Sequence, residues 1–250
     1  MTEAIARCTR YRRLAVIPLI LGVLMTITPR PAASQVIPEF EQFHTWTDVA
    51  TIYNFSERFR YDGDYGLRGL LTDSNWTLLY LRPSVRYRAR QNLTLHGGVA
   101  LFYNFLTGED LPELRPHVGV RLVTPLPSDW VLSNFLRLEL RAFYLQSQSD
   151  WDAGLRFRWQ VQVVSPRFRI GSLEEFYGLA SAEPFIDGSS GIEGTFGDRF
   201  RFNVGLGRQF SSQLRIDLNY LFHVIRVSDE DGNFNADDHV IRLRFFYSVN

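Results

Sequence analysis

The last twelve residues, His239-Val-Ile-Arg-Leu-Arg-Phe-Phe-Tyr-Ser-Val-Asn250, decide how the rest of the chain is read. Ile241, Leu243, Phe245, Tyr247 and Val249 share one parity; Arg242, Arg244, Phe246, Ser248 and Asn250 share the other. Side chains alternate across a strand with a period of two, so one face is apolar and aromatic while the other carries guanidinium groups. A soluble sheet would turn the apolar face to a core. A membrane barrel would turn it to lipid and keep the charges inside.

Working back from that strand, the same alternation recurs ten more times. The strands read as Thr45–Phe55, Arg58–Leu70, Trp76–Arg90, Leu93–Leu106, Leu114–Leu126, Trp130–Leu145, Trp151–Ser165, Phe168–Leu179, Phe196–Phe210 and Gln213–Val227. The alternation slips near Leu173–Phe176, where a bulge is expected. Most of these strands run longer than the usual soluble strand of about five or six residues, long enough to cross a bilayer when tilted. Connections alternate between short turns such as Gln91-Asn92 and longer loops such as Thr107–Glu113, 180–195 and Ser228–Asp238. Short turns at one end and longer loops at the other mark outer-membrane barrels, as do aromatic residues near strand ends. The pattern predicts an all-β, transmembrane, antiparallel up-and-down barrel. Eleven strands are legible, but an all-antiparallel barrel with both termini on one side needs an even number, so twelve strands are expected, with ten as the alternative.

Residues 1–34 read as a cleaved signal peptide: Arg7, Arg10, Arg12 and Arg13 lead, Leu14–Thr28 is apolar, and Ala32-Ala33-Ser34 suits cleavage. Residues 35–250 then form one barrel domain in the bacterial outer membrane. Cys8 is the sole cysteine and lies in the leader, so the mature chain has no thiol chemistry. All 27 basic residues are arginine. Without the leader, 22 arginines face 26 acids, a balance that gives no reason to expect nucleic-acid binding.

The chain resembles an uncharacterised, domain-of-unknown-function family of bacterial outer-membrane barrels. The likeness runs over about Phe43–Asn250. It rests on the first strand around Trp46, on Arg137-x-Glu139-x-Arg141, on Arg156-x-Arg158, on Glu174-Glu175-Phe176 and on the Arg199–Gln209 strand. It implies the fold and the location, and no activity.

With the apolar parity in lipid, the other parity lines the lumen. Arg86, Arg88, Arg137, Glu139, Arg141, Arg156, Arg158, Arg199, Arg201, Arg242 and Arg244 are the candidate lumen-lining, anion-binding residues. Arg58, Arg60, Arg90, Arg121 and Arg215 join them, facing Asp48, Asp62, Asp64, Asp152, Asp217 and one of Glu174 or Glu175. Arginine forms planar, bidentate pairs with carboxylates and so suits a ladder between strands. Two readings stand as alternatives: a structural barrel whose salt-bridged, partly filled lumen staples the wall, or a narrow passage or pocket that favours anions. An alternative class is a lipid- or lipopolysaccharide-modifying enzyme with a rim site at His223, His239 and Ser228, although no nucleophile motif surrounds that serine. His96 and His117 are expected at opposite ends of their strands. Asp229-Glu230-Asp231-Gly232-Asn233 lacks the closing glutamate of a calcium loop, so neither a metal nor a cofactor is expected. Acids at Glu109, Asp110, Glu113, Asp150 and Asp187 are read as outer-loop residues. The expected partners are outer-membrane lipid, lipopolysaccharide and, through the C-terminal strand, the barrel-assembly machinery.

Overall fold

The computed structural model describes residues 42–70, 76–106, 109–187, 199–226 and 234–249. The leader, Ser228, the acidic stretch 229–233 and Asn250 lie outside the described residues. Thirteen strands form one closed sheet: β1 (Gln42–Asn54), β2 (Phe59–Leu70), β3 (Trp76–Arg82), β4 (Ser84–Arg90), β5 (Leu93–Leu106), β6 (Leu111–Pro125), β7 (Val131–Leu145), β8 (Asp150–Val164), β9 (Phe168–Ile170), β10 (Leu173–Asp187), β11 (Arg199–Gln209), β12 (Leu214–Arg226) and β13 (Phe234–Ser248).

Among the described residues, the wall itself has eleven strands. β3 and β4 are one strand broken at Pro83, because both pair with β2 on one side and β5 on the other. Proline has no N–H to give the ladder. β9 likewise continues the line of β8, since β10 pairs with both. Closure comes from β1, which pairs antiparallel with β2 and parallel with β13, from Gln42↔Asp238 to Ile52↔Ser248. That seam corrects the expected count of twelve or ten. An even number is required only when every neighbour is antiparallel, and one parallel pair lifts the requirement. The expectation that both ends of the chain leave from one side also fails for the described strands: β1 starts at the end where the long connections lie, whereas β13 finishes at the short-turn end.

The face pattern is as the alternation predicts. Leu67, Leu79, Leu81, Leu101, Val118, Leu138, Leu155, Val204 and Leu218 point outward and are exposed, while Asp48, Asn104, Glu139, Arg141 and His223 are buried within. Polar groups are inside and apolar groups outside, the reverse of a soluble protein. Two tyrosines lie flat across glycines on the neighbouring strand. Gly66 faces Tyr80 and Gly207 faces Tyr177, and a Cβ on either glycine would meet the ring, at 2.9 Å and 2.1 Å respectively. Each hydroxyl then reaches an interior carboxylate, Tyr80 donating to Asp48 and Tyr177 to Asp217.

Three boundaries differ from expectation. The stretch Phe168–Leu179 is not one strand, because Gly171, at φ +60, makes the turn between β9 and β10; the register shift between Leu173 and Phe176 does fall where the alternation places a bulge. β10 then runs on to Asp187, through part of the presumed loop, with Glu183 inside. β6 and β13 start earlier than read, so Glu113 and Asp238 leave the loops and join the wall, the former buried at 3% exposure. Asp150 too belongs to a strand.

Candidate functional site

Eleven strands about 4.8 Å apart and tilted by about 40° enclose a backbone tube of roughly 20 Å diameter. Arginine side chains reaching in from opposite walls fill much of that width. What remains is a cavity of about 860 Å³, lined by fifteen arginines and six carboxylates, with Asp48 and Glu139 buried behind it.

The half nearer the long connections is a dense ion-pair network. Glu139 accepts from Arg158 at 2.9 Å and from Arg156 at 2.9 and 2.5 Å, with Arg137 Nε also 2.9 Å away. Glu113 is held bidentately by Arg115 (2.7 and 2.6 Å) and by Arg141 (2.8 and 3.3 Å). Glu183 takes two bonds from Arg158, at 3.0 and 2.7 Å, and one from Arg201 at 3.4 Å. Across the seam, Asp48 pairs with Arg242, and Asp64 is clamped by Arg82 at 2.7 and 2.5 Å. Planar guanidinium forks reach carboxylates on neighbouring strands, and each carboxylate is shared, which satisfies buried charges that would otherwise be costly. Arg68 rests on rings, 4.0 Å from the Trp46 centroid and 4.8 Å from that of Tyr80.

Nearer the short-turn end the pairing loosens. Arg60, Arg86, Arg121, Arg215 and Arg244 come from β2, β4, β6, β12 and β13, and Arg86 feels the charges of the other four. Two carboxylates answer them. Asp62 contacts Arg86 and takes 3.4 Å bonds from Arg60, while Asp217 lies 3.5 Å from Arg215. Arg244 Nε stands 3.6 Å from Asp48. Arg121 donates to Ser133 Oγ at 3.0 Å, and its Nε has no hydrogen-bond partner; nor has His96 Nε2. The side chains of Arg60, Arg86, Arg215 and Arg244 are 25–35% exposed, against 2–11% for Arg115, Arg137, Arg141, Arg156 and Arg158. Two rings support this chamber. Arg121 and His96 pack on Phe135, at 4.4 and 4.7 Å, and Arg215 and Arg244 on Phe246, at 3.7 and 4.6 Å.

Of the candidate lumen residues, Arg86, Arg137, Arg141, Arg156, Arg158, Arg199, Arg201, Arg242 and Arg244 line the cavity and Glu139 stands directly behind it. Arg88 does not: it lies past the cavity, exposed near the Gln91-Asn92 turn, as are Arg58 and Arg90. Glu174 and Glu175 pair with Arg169 and Arg167 on the outside of the β9–β10 turn rather than in the lumen. Sequence reading passed over Glu113, Glu183 and Asp238, assigned to loops, and left Arg82 and Arg115 out of the lining set. Continuing the alternation of Arg115, His117 and Arg121 back by one step would have found Glu113.

The rim site at His223 and His239 does not assemble. Asp238, not His239, stands opposite His223 in the register, so the two histidines face opposite sides of the wall. His223 is buried inside; its Nε2 accepts from Arg201 Nε at 2.8 Å, which puts its proton on Nδ1, 3.7 Å from Asp238. His239 stacks on Phe43 and bonds Tyr220 outside at 2.5 Å. His96 and His117 are not at opposite ends either: His96 faces Gly119, two positions from His117, and both line the cavity. His117 Nε2 lies 3.2 Å from Ser84 Oγ. Among the described residues no group of three or more histidines and acids is arranged to hold a metal ion.

The chain belongs to the family described as protein of unknown function (DUF2490), which matches residues 43–235. No curated protein matches the chain. Solved structures similar to it include the beta domain of the Bordetella autotransporter Brka, with TM-score 0.48 and 12% identity over 76% of this chain and 81% of that one. Another is the NanC porin, with TM-score 0.40 and 12% identity over 77% of this chain and 94% of the porin.

Proposed function

We propose that this barrel sits in a bacterial outer membrane and gives small anions a narrow, arginine-lined passage. One observation carries the reading: among the described residues, fifteen arginines against six carboxylates line the cavity. Lining charge of one sign raises the local concentration of counter-ions and sets the preference of a pore. The membrane location is supported by the apolar outer face, by strands of 11–15 residues for most of the wall, and by the two longest connections, 188–198 and 227–233, sharing one end. By the usual orientation of such barrels, the arginine chamber opens toward the periplasm. Lipid and lipopolysaccharide then surround the wall, and the C-terminal strand β13 is the segment offered to the assembly machinery. A lipid-modifying centre near His223 is the poorer account, because that residue is committed to Arg201 and Asp238 within the wall.

The test is electrical. The refolded barrel in a planar bilayer under a KCl gradient should give a reversal potential on the chloride side of zero. Replacing Arg86 and Arg121 by glutamine should move it toward zero. A barrel that conducts no ions, or whose ion preference ignores both changes, would refute the passage.

A further inference from the structure

The passage reading asks only that anions be attracted. The chamber at the short-turn end has features that attraction alone does not need, and they point to a bound ligand. Five guanidiniums arrive from β12, β13, β2, β4 and β6, strands spread over an arc of seven of the eleven in the wall, so their donors approach one space from more than one direction. Asp62 and Asp217 compensate two of the five charges, and Arg244 stands 3.6 Å from Asp48 and 3.9 Å from Asp64, carboxylates already engaged by Arg242 and Arg82. The Nε of Arg121 and Nε2 of His96 are buried without a hydrogen-bond partner, and the Nε atoms of Arg215 and Arg244 meet carboxylates at 3.5 and 3.6 Å, beyond good bonding distance. Buried polar atoms normally find partners, and a cluster of them left open is what a site looks like without its ligand. Stacking on Phe135 and Phe246 holds the guanidinium planes in place, so little side-chain freedom is lost when an anion enters.

We infer that this chamber binds a phosphoryl group, free or carried on a small soluble molecule, through Arg60, Arg86, Arg121, Arg215 and Arg244. The inference rests on the anion-passage reading and narrows it to one ligand chemistry. A phosphate dianion matches the surplus charge better than chloride. Its tetrahedral oxygens can meet forks arriving from several sides, whereas a carboxylate offers its lone pairs in one plane. The opposite wall is neutral: Gln160, Gln162, Ser181 and Asn203 line it and could take the hydroxyl groups of a carrier.

Calorimetric titration of the refolded, detergent-solubilised mature barrel with inorganic phosphate tests this directly. Saturable binding is expected, weakened about tenfold by Arg121→Gln and by Arg86→Gln, the loss of one charge-assisted contact each. Arg167→Gln, exposed beside the β9–β10 turn and outside the cavity lining, should bind as the parent does. Glucose 6-phosphate, run as a second titrant, separates the two sources: tighter binding than inorganic phosphate identifies a carried phosphoryl group, and equal or weaker binding identifies the free anion. Absence of saturable binding of either, parent-like affinity in both arginine variants, or glucuronate binding as tightly as phosphate would overturn the inference. Circular dichroism and heat-modified gel migration establish folding, and His96→Gln, expected to weaken binding, replaces any variant that fails to fold. The two readings fail separately. Anion-selective current without phosphate binding removes the site and leaves the passage; phosphate binding without conductance does the opposite.

Discussion

The two halves of the lumen use the same residue type to opposite ends. Around Glu113, Glu139 and Glu183, arginines are almost wholly buried, and most of their bonds to shared carboxylates measure 2.5–3.0 Å. Around Arg86 and Arg121 they are a quarter to a third exposed in four of five cases, and Arg215 and Arg244 stand 3.5 and 3.6 Å from the nearest carboxylate. The first arrangement locks strands together. The second leaves cations facing the cavity. Composition alone cannot tell them apart; what differs is the supply of carboxylates within reach, and β6, β7 and β10 deliver Glu113, Glu139 and Glu183 to the first half.

If that contrast is right, the same chemical change should act differently in each half. The largest effect is expected at Glu139→Ala, which strips a carboxylate shared by Arg137, Arg156 and Arg158 and should destabilise the barrel by about 3–5 kcal/mol in urea unfolding from lipid vesicles. A change under about 1 kcal/mol would mean that the network does not staple the wall. Next comes the outer face: Leu138→Arg should cost about 2–4 kcal/mol in the same assay if Leu138 lies near the bilayer midplane, and nothing appreciable if the face meets water. Gly207→Ala drives a methyl into the Tyr177 ring, for an expected loss of about 1–3 kcal/mol, with Tyr177→Ala in the Gly207→Ala background recovering the clash part of the loss. In the chamber, Arg121→Gln should leave stability within about 1 kcal/mol while altering ion preference. The smallest effect belongs to the outer loops. The Ser147 amide donates to Glu109 at 2.6 Å and holds its carboxyl below the usual range. Because the folded pKa is the lower one, this tether is intact above the ordinary glutamate range and is lost as pH falls through the depressed value. Amide exchange at Ser147 should therefore rise under acid in the parent, and already at neutral pH in Glu109→Gln.

Much of this barrel could be read from alternation. The parity of Ile241, Leu243 and Phe245 against Arg242 and Arg244 separates the outward from the cavity-facing side correctly, because the side-chain period is fixed by backbone geometry. The strand count could not be reached in that way. The parallel β1–β13 seam depends on which edges meet, a contact between residues nearly two hundred positions apart that leaves no local trace. The interior acids were half legible. Glu139 stands in the middle of a clean alternation, whereas Glu183 is followed by Pro184 and Glu113 is preceded by Pro112, and proline argues against a strand when read locally. The division of the lumen into a locked half and an open half lay beyond sequence altogether, since it depends on which arginines reach a carboxylate once the ladder spirals around the tube.

The central claim is that ion preference resides in the loosely paired chamber and not in the ion-pair network. Reversal potentials under a KCl gradient test it most directly, comparing the parent with an Arg86→Gln, Arg121→Gln, Arg215→Gln triple variant. A chloride-selective parent and a triple variant near zero are predicted. A triple variant with unchanged chloride preference, while still folded by circular dichroism, would contradict the claim.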